Sequence, residues 1–153
     1  MSQTKREMYE LLLLQQKGLL ESESNWVASL ANSSALLNQT LKDTVFAGYY
    51  LFDEGELILG PFQGKVSCTR IKLGKGVCGE SAEKRITLIV GNVKEHENYI
   101  SCDSAAMSEI VVPMVKNGEL IGVLDIDSGL TDSYDEIDQE FLEKYVELLL
   151  TIK

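Results

Sequence analysis

The dipeptide Asn117-Gly118 lies between two largely apolar segments of similar length, 109–116 and 119–127. Both central residues of a type I′ turn need a positive φ, which asparagine and glycine tolerate, so this dipeptide predicts a two-residue hairpin. Pro113, within the first segment, cannot donate to a strand ladder and indicates an edge position or a bulge. The sequence therefore predicts an antiparallel sheet built around this hairpin.

The segments on either side of the hairpin predict how this sheet is covered. Helices are predicted from apolar spacing and capping residues over 4–20, 25–38 and 135–152. Further strands are predicted over 44–52, 56–59, 65–72 and 86–90. The remaining segments predict loops over 60–64 and 91–107 and a short helix over 77–84. This order predicts a single α+β domain over 1–153, with N-terminal helices in 1–40, the sheet and active-site loops in 41–134 and a C-terminal helix in 135–153.

Composition and charge restrict the partners of the chain. Its 153 residues, 44% apolar and 25% charged, are enough for one folded domain with a core. A net charge of −10 disfavours binding to nucleic acid and to anionic membrane surfaces, and favours a substrate that carries an amine. No apolar segment is long enough for a membrane span and no signal peptide is visible, so we expect a cytoplasmic protein.

Three cysteines, Cys68, Cys78 and Cys102, lie in segments rich in glycine, serine or aspartate rather than in apolar runs. An odd number of cysteines argues against a secreted disulfide framework, and cytosolic disulfides are usually transient and catalytic. Thiols that approach one another in the fold allow one to attack and another to resolve the product, so the sequence predicts thiol redox chemistry. The alternative for any one of them is a small buried hydrophobe.

Other kinds of site are not predicted. The cysteine spacings lack the close C-x-x-C pairing of common structural zinc sites, and 74–76 does not form a phosphate loop. The single histidine, His96, lies between Glu95 and Glu97 in a polar stretch and is expected at the surface. Neither a metal nor a cofactor is expected.

Several motifs occur in order from about Leu41 to the last helix. They are Gly60-Pro61-Phe62-Gln63-Gly64-Lys65, Gly76-Val77-Cys78-Gly79, Cys102-Asp103, Ser108-Glu109-Ile110-Val111 and Gly122-Val123-Leu124-Asp125-Ile126-Asp127-Ser128. With all three cysteines in place, this set resembles the GAF-domain free methionine-(R)-sulfoxide reductases. The resemblance implies a GAF fold, in which a central antiparallel sheet carries the terminal helices on one face and the ligand pocket on the other. It also implies a homodimer formed through those helices.

Sulfoxide reduction needs a thiolate to attack sulfur and an acid to protonate the departing oxygen, and it leaves a cysteine sulfenic acid. A second thiol then forms a disulfide that an external reductant opens. By resemblance Cys102 is the nucleophile, Cys68 is the main resolving cysteine and thioredoxin is the reductant. Cys78 is expected in the same site as an alternative resolver or relay, and an exchange of roles between Cys78 and Cys102 stays open.

Three acidic residues accompany the cysteines. Asp125 and Asp127 are two apart on a predicted strand and so point to one face, while Glu109 and Asp127 are about equally far from the hairpin turn. Buried like charges raise one another's pKa, so such a pair needs a cationic ligand or a shared proton. By resemblance these acids bind the substrate amine and deliver the proton. The alternative is an exposed strand end with solvated carboxylates.

By resemblance Phe46 and Tyr50 surround the methyl-sulfinyl group, and the alternative is that both are core aromatics. The family usually has tryptophan at the position of Phe46, so this chain loses indole volume and an N–H donor there, which affects pocket shape, affinity and stereoselectivity. Backbone N–H groups of the loop from Cys102 to Ser108 are expected to bind the substrate carboxylate. Trp26 lies outside the motifs and is expected to pack between helices.

The expected function is thiol-dependent reduction of free L-methionine-(R)-sulfoxide to L-methionine. A GAF domain can instead hold a small ligand without converting it, and the fold alone does not distinguish the two roles. A ligand sensor gives the three cysteines no required role. A redox sensor keeps the cysteines but gives the paired aspartates none.

Overall fold

The computed structural model describes residues 3–102 and 105–153. Six strands form one antiparallel sheet in the order β3-β2-β1-β6-β5-β4. The helices are α1 (Lys5–Ser22), α2 (Trp26–Thr40), α3 (Gly76–Lys84) and α4 (Glu136–Leu150), with a short 3₁₀ turn at Val93–Glu95. The strands are β1 (Thr44–Asp53), β2 (Glu56–Gly64), β3 (Arg70–Lys72), β4 (Leu88–Val90), β5 (Ser108–Lys116) and β6 (Glu119–Ser128). This architecture confirms the predicted α+β class.

The predicted hairpin joins β5 to β6. Asn117 and Gly118 both have a positive φ, 53° and 79°, as a type I′ turn requires. Pro113 pairs with Val123 of β6, and the pairing with β4 ends at Val111, so the other side of β5 is open at the proline. A missing N–H is tolerated at such an edge.

Two predicted boundaries around β2 are wrong. Residues 60–64 continue β2 instead of forming a loop, and 65–72 contains a strand only at Arg70–Lys72. Pro61 fits within β2 because β3 pairs with only Glu56–Ile58, which leaves the neighbouring edge open. Gly48 of β1 lets β2 approach closely, since a Cβ at Gly48 would lie 2.6 Å from the Phe62 Cα. Cys68 consequently lies in an irregular segment before β3.

The alternation of side chains along β1 separates the two faces of the sheet. Ala47 and Tyr49 point into the larger core, which α1, α2 and α4 cover, whereas Phe46 and Tyr50 point to the opposite face. Trp26 packs against the larger core as predicted, with Lys153 Nζ 5.3 Å from its ring centroid. The terminal helices thus occupy one face, and the other face is left for a site.

The N-terminal and C-terminal helices are tied together by polar contacts. Asp138 in the first turn of α4 accepts a buried hydrogen bond from the Tyr9 hydroxyl and lies 2.6 Å from Lys5 Nζ. Asp135 caps α4 through a reciprocal pair of bonds with Asp138. Within 3–102 and 105–153, no helix has both the length and the apolar character needed to cross a bilayer.

Candidate active site

A cavity of about 30 Å³ lies on the face of the sheet opposite the terminal helices. Its walls come from β1, β3, β5 and β6, from α3, and from the loops that precede β3 and β5. The lining residues are Tyr50, Ser67, Ile71, Gly76, Val77, Cys78, Tyr99, Ile100, Cys102, Glu109, Asp125 and Asp127. This volume has room for a small ion and a water molecule.

Three carboxyl groups form one wall of the cavity. Glu109 on β5 is the direct cross-strand partner of Asp127 on β6, and Asp125 is two residues along the same face. This register agrees with the nearly equal distances of Glu109 and Asp127 from the hairpin turn. The three residues are only 6%, 8% and 5% exposed for Glu109, Asp127 and Asp125, so the alternative of solvated carboxylates is wrong.

Burial changes the protonation of these groups. It raises the pKa of Glu109 well above its usual value, and the charges of Asp125 and Asp127 raise this pKa further. Burial also raises the pKa of Asp125, although hydrogen bonds from its neighbours partly offset the rise. Among the described residues that line the cavity, none carries a positive charge. The wall can therefore hold a proton at Glu109 and accept a cation.

A disulfide joins Cys68 and Cys102, whose Cα atoms are 5.2 Å apart although 34 positions separate them in the sequence. Both cysteines are partly exposed and lie in irregular segments. The Tyr50 hydroxyl donates to the Cys68 carbonyl oxygen at 2.9 Å and lies 3.0 Å from Ser67 Oγ. Tyr50 therefore both lines the cavity and holds the segment that carries Cys68.

The third cysteine has a different environment. Cys78 lies in the first turn of α3, is 4% exposed, and donates a long hydrogen bond of 3.9 Å from its thiol to Glu109 Oε2. Burial raises the pKa of this thiol well above its usual value, and the charges of Asp125 and Glu109 add to the effect. Cys78 is thus a protonated thiol at neutral pH, which is a poor nucleophile.

Phe46 does not border the cavity. Its ring stacks on Tyr50 at a centroid distance of 6.2 Å and on Phe62 at 5.1 Å, and its side chain is fully buried. Phe46 therefore supports Tyr50 from behind. Its predicted contact with a methyl-sulfinyl group stays a prediction.

The loop before Cys102 contributes residues that the sequence did not single out. Tyr99 lines the cavity, and burial, with the nearby Glu109 and Asp127 charges, raises its pKa to about 12. The Asn98 amide donates to the Gly74 carbonyl oxygen at 2.8 Å and fixes this loop to the start of α3. The only sequence signal for Tyr99 is its position close to Cys102.

His96 belongs to the same loop. It is partly exposed, which agrees with its predicted surface position, and its Nε2 lies 2.9 Å from Glu80 Oε2 on α3. This hydrogen bond, together with one from Lys84, holds the pKa of Glu80 below its usual value. The pair is a second attachment between the loop that carries Cys102 and the helix that carries Cys78.

The predicted donors for a substrate carboxylate fall partly on Asp103 and Ser104, which lie outside the described residues. Of the rest of that loop, the Met107 N–H already donates to the Ser128 carbonyl oxygen at 2.8 Å. The Cys102 N–H donates to the Ile100 carbonyl oxygen at 3.1 Å. The backbone site for a carboxylate stays a prediction.

Comparisons with known proteins agree with this geometry. The family model for the GAF domain matches residues 33–149. The chain is 44% identical over 153 residues to the free methionine-R-sulfoxide reductase of Saccharomyces cerevisiae, with 95% of this chain and 85% of the yeast protein covered. It is 41% identical over 142 residues to the Escherichia coli protein of the same name, with 93% and 86% covered.

A solved structure shares the whole architecture. The free methionine-R-sulfoxide reductase of Neisseria meningitidis, in complex with its substrate, matches with a TM-score of 0.95 at 40% identity. The match covers 99% of this chain and 92% of that one. The sheet with helices on one face and a cavity on the other is therefore the predicted GAF fold. The chain belongs to the GAF-domain family and, within it, to the free methionine-R-sulfoxide reductases.

Proposed function

We propose that this protein, as a single GAF domain, reduces free L-methionine-(R)-sulfoxide to L-methionine. The observation that carries the proposal is that the Cys68–Cys102 disulfide and a wall of three buried carboxyl groups meet in one cavity. The two cysteines in their reduced form supply two electrons as they become a disulfide, and a protonated carboxyl group supplies the proton that a departing oxygen needs. The names of the yeast and Escherichia coli relatives support the same reaction.

In the proposed first step, the Cys102 thiolate attacks the sulfoxide sulfur. Glu109, whose pKa is raised by burial, donates a proton to the sulfoxide oxygen as the bond between sulfur and oxygen breaks. The departing hydroxide bonds to the Cys102 sulfur while the transient bond between the two sulfur atoms breaks. The electron pair of that bond stays on the methionine sulfur, which is thereby reduced by two electrons, and Cys102 is left as a sulfenic acid. We propose that Asp127, the cross-strand partner of Glu109, shares this proton or supplies a proton after Glu109 has given up its own.

In the proposed second step, the Cys68 thiol loses its proton and attacks the sulfur of the Cys102 sulfenic acid, and the departing hydroxide takes up that proton and leaves as water. This step forms the Cys68–Cys102 disulfide, which is the state of the two residues in the structure. An external dithiol then reduces this disulfide, so that both cysteines return to thiols and the dithiol itself becomes a disulfide. We assign Cys78 the role of a reserve resolver or relay, because its buried and protonated thiol is poorly suited to start the reaction.

The carboxylates also suit the substrate ammonium group. Asp125 and Asp127 lie on one face of β6, next to the cavity, in a chain of net charge −10. Gly48 on β1 is the cross-strand partner of Asp125 on β6, so the β1 residue beside this carboxylate has no side chain. We propose that both aspartates bind the ammonium group, with Tyr50, backed by Phe46, closing the apolar side of the pocket.

The finer expectations about partners belong to the same proposal. We propose thioredoxin as the reductant; Val66, two residues before Cys68, is 90% exposed, which supports docking of a partner with an apolar surface beside the disulfide. We also propose a homodimer formed through the helices, since Leu11 and Leu14 of α1 and Val27 of α2 are exposed. A cytoplasmic location fits a disulfide that must be reduced in each cycle.

The test is a chirally resolved assay. Free methionine (R)- and (S)-sulfoxides are incubated separately with the protein and a dithiol reductant, and methionine release is measured, with Cys102→Ser as the control. Selective consumption of the R epimer, lost in Cys102→Ser, is the expected result. Consumption of neither epimer by folded, reduced protein would overturn the proposal in favour of a ligand-sensing or redox-sensing GAF domain.

A further inference from the structure

Three potential metal ligands from three different elements meet at the floor of the cavity. They are the Cys78 sulfur from α3, a Glu109 carboxylate oxygen from β5 and an Asp125 carboxylate oxygen from β6. These three atoms all lie within 4.8 Å of one another, and all three residues are buried. Sequence spacing could not reveal such a cluster, because its members are brought together by the sheet and by the helix packed on it.

One carboxylate oxygen of Asp125 has no hydrogen-bond partner among the residues that the structure describes. This oxygen, Oδ1, is buried, and Asp125 as a whole is only 5% exposed. A buried carboxylate oxygen without a donor is unfavourable, and a cation beside it removes the penalty. The described lining residues offer no positively charged side chain for this purpose.

The spacing and chemistry of the cluster suit one class of cation. The Cys78 sulfur and Glu109 Oε2 are 3.9 Å apart, and bonds of about 2.3 Å from Zn²⁺ to sulfur and about 2.0–2.2 Å to oxygen can bridge such a pair with a small contraction. A sulfur ligand disfavours Mg²⁺ and Ca²⁺, which select oxygen, and favours Zn²⁺ or Co²⁺. The cavity of about 30 Å³ has room for the ion and a water as fourth ligand.

We propose that Cys78, Glu109 and Asp125 form a binding site for a thiophilic divalent cation, for which Zn²⁺ is the best match. Binding forms a bond between the metal and the Cys78 sulfur, and the proton of the thiol and the proton held by Glu109 leave to solvent; nothing is oxidised or reduced. The ion neutralises the mutual repulsion of the two carboxylates. Ile100, at the rim of the cavity, is exposed, so the site lies close to solvent.

The site has a consequence for the reaction, and this consequence rests on the proposed function. Asp125 and Glu109 are the same groups that would bind the substrate ammonium and supply the proton. Zn²⁺ and methionine sulfoxide would then exclude each other, so the metal acts as a reversible inhibitor that competes with the substrate. Metal binding itself does not depend on the proposed function.

The test uses the disulfide form of the protein, in which Cys78 is the free thiol among the three cysteines of the chain. Co²⁺ is titrated into this form, and absorption from charge transfer between thiolate and Co²⁺ is followed in the near ultraviolet. We expect saturable absorption that Zn²⁺ abolishes by displacing Co²⁺. This readout needs no sulfoxide, so its failure is separate from failure of the proposed activity.

Variants identify the ligands. Cys78→Ser is expected to abolish the charge-transfer band, and the nearly isosteric Asp125→Asn and Glu109→Gln are expected to weaken Co²⁺ binding at least tenfold. Asp53→Asn, which changes an exposed carboxylate, should bind as the unmodified protein does. Absence of the band at saturating Co²⁺, its persistence in Cys78→Ser, or unchanged affinity in both folded carboxylate variants would overturn the site.

Discussion

Glu109 and Asp127 are direct cross-strand partners, although the whole β5–β6 hairpin separates them in sequence. Both are buried, and Asp125 lies on the same face of β6. Like charges so close together and so far from water cannot all be ionised at low energy. The three carboxyl groups therefore retain a proton until a bound cation displaces it or the reaction consumes it. This retained proton makes the stability of the folded state depend on pH.

Glu109→Gln should stabilise the substrate-free protein at neutral and alkaline pH. The pKa of Glu109 is raised in the folded state above the ordinary value of 4.5, so the folded protein binds the proton more tightly than the unfolded chain. The contribution of Glu109 to the free energy of unfolding is therefore fully present at pH values below its unfolded pKa, and it is lost as pH rises through its folded pKa. Denaturant unfolding should show the variant gaining about 0.5–3 kcal/mol over the unmodified protein as pH rises. A variant that loses stability with pH as steeply as the unmodified protein would contradict this account; Glu54→Gln is the exposed control.

Asp125→Asn should weaken binding of the substrate ammonium group. Loss of a buried charged partner is expected to raise KM for methionine sulfoxide about 10- to 100-fold, with a smaller effect on kcat. N-acetylated methionine sulfoxide, which has no ammonium charge, should be a poor substrate for the unmodified protein. The variant's activity on this substrate should be only slightly lower still. Equal losses for both substrates would argue against the ammonium contact. Asp53→Asn is the matched control.

Cys78 should resist alkylation in the folded disulfide form. Its thiol is buried and its pKa is raised above the usual 9.0, so little reactive thiolate is present at neutral pH. Labelling with iodoacetamide, followed by mass spectrometry, should be slow in the folded protein and rapid in denaturant. The folded rate should still increase with pH after the rate for the denatured chain has levelled off. Equal rates in both states would show that Cys78 is accessible and ionised.

Gly48→Ala and Gly18→Ala should have opposite effects on stability. A Cβ at Gly48 would press on the backbone of Phe62, which should destabilise the fold by roughly 2–3 kcal/mol. A Cβ at Gly18, in the interior of α1, meets nothing within 4 Å and should stabilise by about 0.5–1 kcal/mol. Thermal unfolding of both variants tests this. A neutral Gly48→Ala would mean that β1 and β2 can separate without loss.

Local turn geometry could be predicted from the sequence, whereas contacts between residues far apart in the chain could not. The Asn117-Gly118 turn was predictable because its residue types select one backbone geometry, and it brings Glu109 opposite Asp127. The continuation of β2 through Pro61 was not predictable, because it depends on an open edge beside β2 and on the missing side chain of Gly48.

The same limit applies to the site. Three cysteines in polar segments indicated redox chemistry. The pairing of Cys68 with Cys102 was expected only from the family resemblance, because it depends, like the burial of Cys78, on how two loops and a helix pack. The contact between Tyr50 and the Cys68 carbonyl oxygen likewise has no local signature. The contact of His96 with Glu80 was missed because its neighbours in sequence are charged and gave no sign of a tertiary partner.

The most direct measurement is a single turnover without an external reductant. Fully reduced protein is mixed with excess free methionine-(R)-sulfoxide, methionine is quantified, and disulfides are mapped by peptide mass spectrometry. We predict about one methionine per chain together with a Cys68–Cys102 disulfide, no methionine from Cys102→Ser, and about one methionine without that disulfide from Cys68→Ser. A lack of methionine from the unmodified protein, or an undiminished yield from Cys102→Ser, would contradict the account.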